Sequence, residues 1–300
     1  MAQPEKISQI YDKIFKRIIT LSGPAVIRFI NTVFGQDFDL SSEITYNLTE
    51  SVDDNLGKTI SDTILTINGT FKFHMEVEIS PADSSIALRM FEYGIRDAIK
   101  HKEIGHNKIV LTMPEARIIY LEHTDKTPGH VELALSFQGR EEVFTHKIKT
   151  EKLLSYTIED LNSSGMVILM PLYLLKLRRE IVRHYETRAD QLAQELKNLI
   201  EQCIIAVETN QEQGNITSAD TKTLLGLFSI LYKQLYADYE IFKKEGVDTV
   251  LRERLLTPVE EKAVEIAKNA LKEGLAIELI AKLTGFTEET IRQLQDELDD

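Results

Sequence analysis

Apolar and polar residues alternate from Phe71 to Ile79. Phe71, Phe73, Met75, Val77 and Ile79 fall on one face of an extended chain, and Lys72, His74, Glu76 and Glu78 on the other. The apolar run Ile64–Ile67 precedes this stretch, and Asn68-Gly69 between the two predicts a β-hairpin. The turn decides which residues share a surface. A two-residue loop pairs Ile67 with Thr70 and puts Asp62 opposite Met75, on the apolar face. A three-residue loop ending at Gly69, or a bulge, pairs Thr66 with Thr70 and puts Asp62 opposite His74 and diagonal to Glu76. A slip of one residue flips the face. The longer turn is the expected one, because it gathers Asp62, Glu76 and Glu78 on one surface.

Helical periodicity surrounds the hairpin. Ile7, Ile10, Tyr11, Ile14, Phe15, Ile18 and Ile19 recur at helical spacing, and a second helix runs from about Pro24 to Phe34 with Gly35 as its C-cap. After a weak strand at 43–48, a polar loop at 53–58 and the hairpin, a helix is predicted from Ser85 to Lys102. Its expected core stripe is Leu88, Phe91, Ile95 and Ala98, flanked by a polar stripe of Arg89, Tyr93, Arg96 and Lys100. Arg117–Leu121 reads as a buried strand, and 131–137 with 142–149 as a second hairpin around Gln138-Gly139-Arg140. From Gly165 onward the pattern is helical: a buried segment at Met166–Leu175, long helices at 188–213 and 218–244, and a capped helix from Thr257-Pro258 to about Lys272. Helices, then strands, then helices predict an α/β core with a mixed central sheet flanked by helices, and an all-α C-terminal region. The expected divisions are 1–160, 161–256 and 257–300.

Composition narrows the chemistry. The lone Cys203 excludes an internal disulfide and fits a reducing cytoplasm, and the N-terminus reads as amphipathic, without a leader pattern. No apolar stretch reaches the roughly 20 residues that span a bilayer, so no membrane partner is expected. Net charge is −13, of which residues 1–150 carry −4 (17 Lys+Arg, 21 Asp+Glu). That acidity works against nucleic-acid binding, although bound cations reverse the field at a carboxylate cluster. Phosphate-loop, Cys-x-x-Cys, His-Glu-x-x-His and nucleophile-elbow motifs are absent from the sequence.

Asp62, Glu76 and Glu78 are hard oxygen donors suited to Mg2+ or Mn2+. His74 reads as a surface or supporting residue. An Asp in one hairpin strand followed by Glu-x-Glu in the next resembles the PD-(D/E)XK nuclease superfamily, and more narrowly the Rpn-type recombination-promoting nucleases, often called putative transposases. Tyr11-Asp12-Lys13-Ile14-Phe15-Lys16 is similar to that family's N-terminal helix, and Ala87–Tyr93 to the helix after its motif. The sequence departs from the pattern at Glu78, where Lys or Gln is expected. The resemblance implies a restriction-endonuclease-like core and metal-dependent hydrolysis of DNA. Asp62, Glu76 and the Val77 carbonyl would hold the metal, and Glu78 would complete the catalytic set. Arg89, Tyr93, Asp12 and Lys16 would line the cleft. On residue pattern alone, Asp12 and Lys16 read equally as a solvated i,i+4 pair. The competing reading is an inactive relative serving as an interaction module.

The last stretch, Glu273–Ile291, is similar to a helix-turn-helix with Gly285 at the turn. Its final helix carries Glu288, Glu289, Asp296, Glu297, Asp299 and Asp300 against Arg292 alone. A helix lying on phosphates should be basic. The tail is therefore expected to pack, to form a homo-oligomer or to bind a protein, rather than to read DNA.

Overall fold

The computed structural model describes residues 4–46, 50–53, 57–60, 64–80, 85–244, 246–247, 249–250 and 258–299. The chain forms two compact units, Met1–Val247 and Asp248–Asp300.

The first unit opens with α1 (Pro4–Ile18) and α2 (Gly23–Phe34). Gly35 closes α2 in the left-handed region at φ 65°, where a side chain would be strained. The strands are β1 (Ile44–Tyr46), β2 (Glu50–Asp53), β3 (Gly57–Ile60), β4 (Ile64–Ile67) and β5 (Phe71–Glu78), followed by α3 (Ser85–Lys100). Next come β6 (Glu103–Ile104), β7 (Ile109–Val110), β8 (Glu115–Tyr120), β9 (His130–Ser136) and β10 (Val143–Lys152). The central sheet has six strands in the order β1-β4-β5-β8-β10-β9. Its inner pairs, β5/β8 and β8/β10, are parallel, and the rest are antiparallel. β2/β3 and β6/β7 form separate two-stranded ribbons, so part of the expected polar loop at 53–58 is strand.

The hairpin turn takes the bulged form. Asn68 (φ 51°) and Gly69 (φ 66°) are both left-handed. Thr70 N–H donates to the Ile67 carbonyl at 3.1 Å. Thr70 is then the extra residue, and the ladder resumes with Ile67 opposite Phe71 and Ile64 opposite His74. The expected register, Thr66 with Thr70, is off by two residues, so the faces are as predicted.

The two faces of β5 meet different layers. On one, Phe73 and Met75 are buried. Phe34 and Phe38 stack against Phe73 at 4.5 and 5.8 Å between ring centroids. There Arg117 of β8, itself buried, donates to the Val33 carbonyl at 3.2 Å and lies 4.9 Å over the Phe34 ring. A cation thus meets both a helix C-terminus and an aromatic face. The other face carries α3 over Ile118, Tyr120, Val131 and Ile148. α3 buries Ile86, Ala87, Met90, Gly94, Asp97 and Ala98, whereas Leu88 is 51% exposed. The helix is turned partly off its expected core stripe, of which Ala98 is buried and Phe91 and Ile95 are half-buried, and Gly94 stands close to Met113. A Cβ there would stand 2.7 Å from the Met113 methyl.

The helical part begins with α4 (Ile158–Ser163) and a 3₁₀ run, Val167–Leu177. This run contains Pro171, and its residues Val167–Leu175 are buried. Then follow α5 (Arg178–Glu212), α6 (Ser218–Tyr236) and α7 (Glu240–Lys244). α5 starts ten residues before the expected 188, with a break at Arg188 (φ −139°), the point where the apolar pattern resumes. The single helix expected over 218–244 is interrupted between Tyr236 and Glu240.

Two polar ties hold these layers, one ionic and one of hydrogen bonds to a carboxylate. Glu122, buried just past β8, accepts from Arg178 Nη1 and Arg179 Nε at 2.8 Å each. Asp220 caps two helices at once: it accepts from Ser22 N and Thr217 N at 2.8 and 2.9 Å and from Ser22 Oγ at 2.5 Å. Burial pushes the Asp220 carboxyl up, but the Ser22 and Thr217 hydrogen bonds outweigh it and hold the carboxyl below the ordinary Asp value. A depressed folded pKa contributes stability that is present above the unfolded pKa, about 3.9, and is lost as pH falls through the folded value. Urea midpoints of the wild type should therefore drop below about pH 4, and Asp220→Asn should start lower and lose that part of the pH dependence. Parallel curves for the two proteins would refute the assignment.

The second unit contains the helices Pro258–Lys272, Ile277–Thr284 and Glu288–Asp299. They close on Ala267, Ile280, Ile291 and Leu294. Gly285 turns the chain at φ 76°, as the sequence predicts. The expected cap at Thr257 lies outside the described residues.

Candidate active site on β5 and α3

α3 runs antiparallel to β5 along the face that carries Lys72, His74, Glu76 and Glu78. Two strand residues advance about 6.6 Å and four helix residues about 6 Å, so residues four apart on α3 match alternate residues of β5. The result is a polar seam. Arg89 Nη2 donates to Glu78 Oε1 at 2.5 Å and lies 3.9 Å from Glu76 Oε2. The Tyr93 ring stands edge-on to His74, with centroids 6.1 Å apart. Lys72 Nζ donates to Asp97 Oδ2 at 2.6 Å and to His101 Nδ1 at 2.7 Å. Lysine has only donors, so Nδ1 of His101 accepts.

Burial is graded along this seam. His74 and Asp97 are buried, Glu76 is largely buried, and Glu78 and Arg89 are partly open. The reading of His74 as a surface residue is thus corrected: α3 covers the face that a lone hairpin would leave wet. His74 Nε2 is buried without a hydrogen-bond partner, 3.4 Å from Glu76 Oε1. That distance satisfies an ionic contact but not hydrogen-bond geometry. Burial works against the Arg89 cation, but the Glu78 hydrogen bond and the Glu76 and Glu78 charges outweigh it and raise its pKa. Burial, with the nearby Glu78 charge, also holds the Tyr120 phenol up.

The structure brings Glu76, Val77, Glu78, Arg89 and Tyr93 together. Asp62 lies outside the described residues. Asp12 and Lys16 are on α1, where Lys16 Nζ donates to Asp12 Oδ2 at 2.8 Å, the i,i+4 pair of the plainer reading. Lys72, Asp97 and His101 complete the seam. The four-residue spacing of Arg89, Tyr93, Asp97 and His101 was the signal for it, masked by the apolar stripe beside it.

Among the described residues, no group of three or more His, Cys, Asp or Glu is arranged to hold a metal ion. Glu78 is engaged by Arg89. Among the described residues Glu76 has ionic contacts with His74 and Arg89 and no hydrogen bond to either, and His74 Nε2 is buried and unpaired. Glu76 is a hard oxygen donor of the kind a divalent cation takes; the other expected carboxylate, Asp62, is not among the described residues. Among the described residues, no helix is long and apolar enough to cross a membrane.

Residues 260–296 match the model of the C-terminal helix-turn-helix domain of the Rpn/YhgA-like nuclease family. Neither a curated protein nor a solved structure matches the chain.

Proposed function

We propose that this chain, which by its C-terminal domain belongs to the Rpn/YhgA-like nuclease family, is a divalent-metal-dependent DNA endonuclease acting through the β5–α3 seam. The observation that carries this reading is the placement of Arg89, whose guanidinium lies 2.5 Å from Glu78 and 3.9 Å from Glu76. The nuclease pattern that the hairpin resembles puts a lysine or glutamine at position 78. Here the position is acidic, and the cation comes from α3 instead.

Glu76, Asp62 and the Val77 carbonyl would hold Mg2+ or Mn2+. Bound there, the metal would polarise a phosphate oxygen and lower the pKa of a water. Arg89 presents a planar fork of donors that suits phosphate oxygens. Glu78 holds that fork at the mouth of the seam and neutralises it until a phosphate competes. Tyr93 and the buried His74 fix the inner wall beside Glu76, and Lys72, Asp97 and His101 pin α3 to β5 beyond it. The helix-turn-helix gives the chain a second element that suits DNA. Its last helix is acidic, and Arg292 there lies 3.6 Å from Glu288, so phosphate contacts would come mainly from elsewhere in the domain. The competing reading, an inactive fold kept for protein interaction, is favoured by one observation: the Glu78 carboxylate at the position of the missing base.

Supercoiled plasmid separates the two. Purified protein should nick it with Mg2+ or Mn2+ and not with chelator. Arg89→Ala should slow nicking on the order of 100-fold, the usual effect of losing one preorganised charge donor, and Arg89→Lys should recover part of it. Equal background in all samples would support the interaction module.

A further inference from the structure

Part of the apolar side of α3 lies at the surface. Leu88 and Ile99 are 51% and 48% exposed. Phe91, on the same side of the helix, reaches His146 of β10, with ring centroids 6.3 Å apart. Through Phe91 this side of α3 meets β10, the neighbour of β9, while Asp97 lies on the far side of the helix. β9 is the outermost strand of the sheet. Its residues Val131, Leu133 and Leu135 pair with Ile148, His146 and Phe144. Exposure rises along that row: Val131 is buried, Leu133 and Leu135 are half-buried, and Phe144 is 60% exposed. An edge strand of seven residues without proline or lysine is an open template for another strand.

We propose that this edge is a homodimer interface, with β9 pairing antiparallel to β9 of a second copy about a two-fold axis at Leu133. Three observations favour a second copy as the occupant. The strand is self-complementary: centring on Leu133 puts Val131 opposite Leu135, Glu132 opposite Ala134 and His130 opposite Ser136, so no like charges meet. The hairpin is neutral, with three Lys/Arg and three Asp/Glu in residues 130–149, within a chain of net charge −13. This is where two acidic copies approach without repulsion. Finally, residues opposite each other in an antiparallel pair lie on one face. Both copies of α3 then sit on the same side of a continuous sheet, and each turns its Leu88–Ile99 shoulder toward the other across the seam. The contact is isologous, so it closes at two subunits. It is independent of the nuclease reading.

Light scattering of the full chain should give twice 34.3 kDa. Leu88→Glu with Ile99→Glu, both at exposed positions, should give a monomer with an unchanged circular dichroism spectrum. Under mild oxidation Leu133→Cys should cross-link to a dimer through itself, and Ala134→Cys should not. The wild type is the control, since its Cys203 is buried. A monomeric wild type, a dimer that survives the double substitution, or a dimer in which the Leu133→Cys variant does not cross-link would each overturn the proposal.

Discussion

Glu76→Gln should abolish metal-dependent DNA cleavage while leaving the fold intact. The substitution keeps the size of the side chain but removes the charge. A Lewis-acid metal supplies several kcal/mol of transition-state stabilisation, and each 1.4 kcal/mol is about tenfold in rate. The expected loss is about 1,000-fold, read as initial nicking rates on supercoiled plasmid. Stability should move the other way or not at all. Glu76 is largely buried, lies 3.9 Å from Arg89 and 3.4 Å from His74, and makes no hydrogen bond with either. A carboxylate held so poorly costs free energy to bury, so a neutral amide in its place should be tolerated. Glu78→Gln makes a useful contrast. It releases Arg89 and restores a residue that the family pattern allows, so it should retain activity. A rate loss for Glu78→Gln as large as that for Glu76→Gln would make Glu78 a ligand and reverse this assignment.

The second large effect concerns stability. Replacing Arg178 and Arg179 together with Met should strand Glu122, whose side chain is only 6% exposed. Leaving a buried charge without its partners costs about 3–5 kcal/mol, and at 2–4 °C per kcal/mol for a unit of this size the melting temperature should fall by roughly 10 °C. Because the two arginines are 27% and 41% exposed, their own charges are partly solvated, and removing Glu122 alone should cost less. Adding Glu122→Leu to the double substitution should recover most of the loss, since a buried ionic cluster can often be replaced by apolar side chains. Failure of that triple variant to recover would mean that these residues are held in place for another reason.

How much of this was legible in the sequence depended on which interactions decided each feature. The hairpin was legible because Asn68-Gly69 and the alternation from Phe71 both act locally. Its register was not, because a bulge at Thr70 costs little locally and the choice rests on how the whole sheet packs. Strand β8, the β9–β10 hairpin, the Gly35 cap and the Gly285 turn all followed from local pattern. Helix α3 was read correctly as a helix, but its buried side is turned partly off the predicted stripe: Ala98 is buried as expected, Phe91 and Ile95 are half-buried and Leu88 is exposed. Amphipathicity identifies an apolar stripe, but it does not say whether that stripe meets the sheet or a second surface. Gly94, Asp97 and His101 decide the matter through contacts with Met113 and Lys72, which lie outside the helix. In the candidate site, spacing put Glu76 and Glu78 on one face of β5 and Arg89 and Tyr93 on one stripe of α3, and the structure sets that stripe against that face. Burial of His74 was not, since an isolated hairpin has no α3 above it. The helix-turn-helix was visible in the tail, and the family match covers it.

The central claim is that Glu76 binds a divalent cation for phosphodiester hydrolysis, and calorimetric titration of Mn2+ into the purified chain tests it most directly. The wild type should bind Mn2+ saturably, and both Glu76→Gln and Asp62→Ala should lose that binding. Absence of binding by the wild type, or equal binding by Glu76→Gln, would contradict that claim.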